Sequence, residues 1–68
     1  MGTVSKEIAD RVASGEFSED NITRIVEYDN AFGGVGYGIV SADEDQNKYM
    51  IPTPFIQNPR IYWEKPHE

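Results

Sequence analysis

The chain contains no cysteine, no leucine and a single histidine, His67 next to the C-terminus. Without cysteine there are no disulfides and no thiolate metal sites. A lone histidine in a terminal position, where order is least expected, is a poor metal ligand or general base. The missing leucine bears on the fold. Leucine is the usual residue of helical cores, whereas the apolar residues present here are seven Ile and five Val. Both are β-branched, stiff at χ1 and suited to a pleated surface. The sheet must therefore carry most of the core.

Basic residues are scarce as well. Six Lys and Arg stand against twelve Asp and Glu, giving a formal net charge of −6. Phosphate backbones and anionic membrane surfaces repel such a chain, which argues against direct nucleic-acid binding and against an electrostatic lipid anchor. No apolar run approaches the ~20 residues of a membrane span. The N-terminus shows no signal-peptide core, so a cytoplasmic location is expected. Met1-Gly2 suggests myristoylation, but Lys6 stands where that motif needs Ser or Thr. The Asn21-Ile22-Thr23 sequon has no meaning without secretion.

Sixty-eight residues make one domain, 1–68, with frayed ends at 1–3 and 65–68. A domain of this size buries only about 60% of the surface its unfolded chain exposes. Without disulfides or a metal, association with itself or with another protein is the remaining supplement, and a homodimer is one form of it.

Residues 3–15 read as one helix, capped by Ser5 or Thr3 and ended by Gly15. Val4, Ile8 and Val12 form its apolar stripe, with Ala9 and Ala13 beside them. Glu7 and Arg11 form a favourable i,i+4 pair on the other side. Phe17 leads towards the sheet. Ile22–Tyr28 and Val35–Val40 have strand composition around the turn-rich segment 29–34, so they predict a β-hairpin. Pairing Tyr28 with Val35 places Val26 opposite Tyr37 and Arg24 opposite Ile39, with Ile25 facing the glycines. Residues 42–47 are a solvated turn. Lys48–Ile51 reads as a third strand, cut off by Pro52 and Pro54, and Arg60–Glu64 as a fourth. The expected fold is α+β: one N-terminal helix packed on a three- to four-stranded antiparallel meander. Its expected core is Ile8, Val12, Phe17, Ile25 or Val26, Tyr37, Ile39, Ile51, Phe55 and Ile61.

Two motifs fail on inspection. Gly34, Gly36 and Gly38 resemble a phosphate-binding glycine loop, but a strand follows them instead of a helix, and no lysine is placed to reach a phosphate. The plainer reading is a sheet face where an aromatic ring or a helix comes close to backbone. Asp43, Asp45 and Asn47 match the first positions of a calcium loop, yet Lys48 and Pro54 occupy the glycine and glutamate positions. A nucleophile–base pair would have to recruit His67, and so small a domain lacks the walls of a deep pocket. The sequence therefore predicts no enzyme and no cofactor.

The aromatics, 12% of the chain, and the acids remain. Tyr and Trp are enriched where protein surfaces meet. Tyr62 and Trp63 are adjacent in a strand and so are expected on opposite faces. A small acidic surface can imitate a phosphate backbone and occupy a basic cleft. In general type, the chain resembles the short, acidic, cysteine-free α+β proteins with which phages and plasmids disarm host enzymes. The expected function is a non-catalytic protein-binding module, an inhibitor from a phage or other mobile element that occludes a basic partner. Its candidate protein-binding residues are the acids Glu7, Asp10, Glu19, Asp20, Asp29, Asp43, Glu44 and Asp45, together with Phe32, Tyr62 and Trp63. The alternative is a structural or accessory subunit that binds through an aromatic sheet face, with the acids only solubilising. A third class is weak small-ligand or cation binding at the glycine or acidic loop.

Overall fold

In the computed structural model, which describes residues 3–16 and 21–66, the helix α1 spans Lys6–Ala13. Ser5 is its N-cap, its hydroxyl accepting from the Ile8 backbone N–H. Gly15 adopts φ 81°, with Gly15 N–H donating to Val12 C=O and Glu16 N–H to Arg11 C=O, both at 3.1 Å. This pairing is a Schellman ending, and its left-handed residue favours glycine. The helix is shorter than the expected 3–15 because Thr3–Val4 forms a short strand, β1, facing Gly38 and Tyr37.

β2 (Ile22–Asp29), β3 (Val35–Ser41) and β4 (Gln57–Glu64) complete an antiparallel sheet in the order β1-β3-β2-β4. The α+β class with an N-terminal helix on a four-stranded antiparallel sheet is as expected. The strand order is not sequential: β1 takes one side of β3, and β4 pairs with β2. Residues 42–56 therefore cross from β3 past β2 to reach β4. The expected strand at Lys48–Ile51 is a turn instead. Tyr49 there has φ 70°, outside the β region, and the prolines that follow deny the segment a ladder.

The hairpin forms with its register one residue away from the expected one. Asp29 pairs with Val35, Tyr28 with Gly36, Glu27 with Tyr37, Val26 with Gly38 and Ile25 with Ile39. The cause is the loop Asn30–Gly34, one residue shorter than the assumed 29–34, with Gly33 at φ 87°. A one-residue slip sends every side chain to the opposite face. Ile25, Tyr37 and Ile39 consequently join Ala9, Val12 and Ile22 in the helix-side core, with Val4, Ile8 and Ala13 packed against it. Val26, Tyr28 and Val40 are buried on the other side with the glycines.

A second irregularity decides where Tyr62 and Trp63 point. Ile25 pairs with Trp63 but Val26 with Ile61, leaving Tyr62 as the extra residue of a β-bulge. Both rings therefore pack on the helix-side core, not on opposite faces. Of the expected core, Ile51 (66% exposed), Phe55 (67%) and Ile61 (44%) lie outside it. The first two sit on the proline-interrupted crossover, which touches the sheet through Tyr49, and Ile61 is on the outermost strand. Phe17 falls outside the described residues. Among the described residues, no helix is long and apolar enough to cross a membrane.

Candidate interaction surface

The glycines of β3 form an aromatic seat. A Cβ on Gly38 would stand 2.5 Å from Tyr49 Cδ2, and one on Gly36 would stand 2.7 Å from Tyr28 Cζ. The two tyrosine rings are stacked, with centroids 6.2 Å apart and planes within 7°. The glycine spacing thus serves close approach of rings to backbone. It holds the crossover down on the sheet and closes this face over Val26 and Val40.

The helix-side face carries a polar chain next to its core. Tyr37, buried, donates its hydroxyl to Glu27 at 2.6 Å and meets Tyr62 edge-on, with centroids 4.9 Å apart. That hydrogen bond is the main reason the Tyr37 hydroxyl is pushed up to about 12. Glu27 is held below the usual carboxylate range by Tyr37 and then by Arg60, which donates to it at 2.8 Å. Arg60 also reaches Asp29 at 3.0 Å, where Asn58 donates as well. Tyr62 donates to Asp10, and the Lys6 ammonium lies 2.8 Å from the other oxygen of that carboxylate. Apart from the Lys6–Asp10 pair, which lies within α1, these interactions tie strand to strand or helix to strand.

The crossover is anchored at its start by side-chain bonds. Thr23 donates to Gln46 Oε1 at 2.7 Å, and Gln46 donates to the Ser41 and Glu44 carbonyls. Arg24 bridges the Gln46 carbonyl at 2.7 Å and Glu64 at 2.6 Å. Glu44 accepts from Lys48 and from the Ser41 hydroxyl and N–H, which lowers its pKa to about 2. An open groove of about 300 Å³, lined by Thr23, Ala42, Gln46, Glu64, Lys65 and Pro66, lies against this turn. The Thr23 hydroxyl and the Gln46 amide on its wall are already bonded within the chain. Among the described residues, no group of three His, Asp or Glu could hold a metal ion.

The candidate residues do not converge on one patch. Asp29 and Phe32 lie at the hairpin end of the sheet. Asp43, Glu44 and Asp45 lie at the opposite end, where Ala42 N–H donates to Asn21 C=O. Glu7 and Asp10 are on α1, and Glu19 and Asp20 lie outside the described residues. Tyr62 and Trp63 are half-buried, whereas Phe32 is 92% exposed. Charge is organised more clearly than shape. Lys6, Arg11, Arg24, Lys48 and Arg60 are each ion-paired to a carboxylate of the chain. Asp43 and Asp45, both exposed, accept from the Ser41 hydroxyl and the Asn47 N–H. Sequence reasoning missed Val35, Ile51 and Phe55 as surface residues. The signal for the last two was the alternation of Pro52 and Pro54 around them, which bars them from a sheet.

Comparison with protein-family models, curated proteins and solved structures finds no match to this chain.

Proposed function

We propose that this chain is a non-catalytic protein-binding module that occludes a basic surface on its partner, of the kind a nucleic-acid-binding protein presents to phosphate. The reading extends to its setting: a cytoplasmic inhibitor encoded by a phage or other mobile element. The observation that supports it is the distribution of charge. The side-chain cations from Lys6 to Arg60 are taken up in ion pairs within the molecule, and acids outnumber bases in the chain for a formal net charge of −6. A positively charged cleft is attracted to such a net-acidic molecule, and attraction of this sort raises association rates. The aromatic-face alternative has less support, because Tyr28 lies under the crossover and Tyr37, Tyr62 and Trp63 pack towards the helix.

The test is capture of the partner from lysate followed by titration across salt. The screening length falls from about 10 Å at 0.1 M to about 3 Å at 1 M. Affinity should therefore fall steeply with salt, and nucleic acid should compete for the partner. An affinity that stays flat across that range would overturn charge-driven occlusion. Asp43→Asn with Asp45→Asn should weaken binding while leaving the melting temperature within a few degrees, since both carboxylates are exposed.

A further inference from the structure

The acidic surface is interrupted at one place. Residues 30–40 and 49–59 contain no charged side chain, although charged residues make up 26% of the chain. The fold brings parts of these two stretches together. Asp29 pairs with Val35 on one side and with Gln57 on the other, so the hairpin tip and the segment entering β4 share one end of the sheet. That end exposes Phe32 (92%), Phe55 (67%) and Val35 (50%), with Ile51 and two exposed prolines on the approach.

Both phenylalanines are held in fixed turns. Asn30 Oδ1 accepts from the N–H of Phe32 at 2.9 Å and of Gly34 at 3.0 Å. Thr53 Oγ1 accepts from the N–H of Phe55 at 3.1 Å and of Ile56 at 3.0 Å. Side-chain-capped turns of this kind fix the backbone locally. Aromatic side chains on a preordered backbone are suited to an interface, because little freedom remains to be lost on binding.

We propose that the hairpin end of the sheet is a self-association surface that takes a second copy of this chain, across a two-fold axis and through Phe32, Val35 and Phe55. Charge selects the occupant. These segments offer nothing to a basic partner, whereas an equally acidic copy meets least repulsion where charged side chains are missing. The nearest charges, Glu27 and Asp29, share Arg60. The molecule is 34 Å long, so joining two copies at this end leaves their Asp43–Asp45 turns well beyond the screening length of about 8 Å at physiological salt. The dimer is independent of the occlusion reading and has the opposite salt response.

Sedimentation equilibrium of the full chain across a wide concentration range is the test. A monomer–dimer equilibrium is expected, held or tightened by added salt. Phe32→Ser and Phe55→Ser should each weaken it by about tenfold or more, as loss of an interface anchor does, and the double variant should sediment as a monomer. Both rings are exposed, so circular dichroism should show the fold retained. Asp43→Ser with Asp45→Ser should leave the dimer intact. A monomer at every concentration would overturn the proposal, as would a dimer indifferent to loss of both rings or one that salt dissociates.

Discussion

Replacing Gly38 with alanine tests whether the β3 glycines are there for the tyrosine rings. Gly38 is not in the left-handed backbone region, so a methyl group meets no conformational penalty. It meets Tyr49, with Cδ2 at 2.5 Å and Cγ at 2.7 Å. These atoms are near the root of the ring, so a small swing of the ring tip cannot clear them. Tyr49 has to lift, carrying the crossover and breaking the stack on Tyr28. Overpacking costs about 1–3 kcal/mol and the stack about 0.5–1.5 kcal/mol. Reduced freedom of the unfolded chain returns about 0.4–1 kcal/mol. A net loss of about 2 kcal/mol follows, or roughly 10 °C in melting temperature for a domain of this size. Urea unfolding followed by Trp63 fluorescence reads it, because Trp63 packs with the helix-side core and reports global unfolding instead of the local lift. The decisive arm is the same substitution in a Tyr49→Ala background. With the ring gone the methyl has room, and Gly38→Ala should become neutral or stabilising. An equal cost in both backgrounds would refute the reasoning.

Glu44 supplies an acid-side prediction. Its folded pKa of about 2 lies below the ordinary 4.5, so its contribution is complete above pH 4.5 and is lost as pH falls towards 2. Melting temperature should drop through that window, and Glu44→Gln should flatten the drop. On the alkaline side, Tyr37 is raised from 10.0 to about 12. Its contribution is present below pH 10 and lost between pH 10 and 12, and Tyr37→Phe should reduce that loss when unfolding is followed against pH. At neutral pH the same variant leaves Glu27 with Arg60 alone and should cost about 1–2 kcal/mol in urea unfolding. Arg24→Ala removes the bridge between the crossover and β4, and hydrogen exchange should quicken at residues 42–48 with the hairpin amides unchanged.

The elements were legible where a local signal decided them. Ser5 and Gly15 mark the helix ends, the missing leucines put the core on the sheet, and the glycine spacing foretold close approach to backbone. What stayed hidden was set by single-residue shifts that composition does not encode. One residue in the hairpin loop exchanged the faces of Ile25 and Val26. One bulged residue, Tyr62, brought two adjacent aromatics to the same side. The place of β4 beside β2 depends on a contact between residues about 35 positions apart, which periodicity cannot report. For the candidate site, charge could be read from the sequence and position could not. The acids were countable, but the gathering of two uncharged segments beside Asp29, away from the Asp43–Asp45 turn, exists only once Asp29 meets both Val35 and Gln57.

That separation narrows what the molecule can do. One sheet face is closed by α1 and the other by the crossover, so recognition is left to ends, edges and turns. The edge strand β4 is ill suited to adding a strand from another chain. Pro59 lacks a donor, Asn58 is at φ 52°, and bulges interrupt the register on both sides of Arg60 and Ile61. With the faces and the β4 edge set aside, two further surfaces of different character stand out. One is acidic and responds to salt as charges do. The other is apolar, with Asp29 at its margin paired to Arg60, and it should strengthen or hold as salt rises. A dimer joined at the apolar end would present two acidic ends to the same partner, and paired sites on one particle gain affinity through effective concentration. Occlusion by the dimer should therefore be tighter than by a Phe32→Ser, Phe55→Ser monomer that carries every carboxylate unchanged. Comparing the two against one captured partner separates the charge that attracts from the assembly that retains.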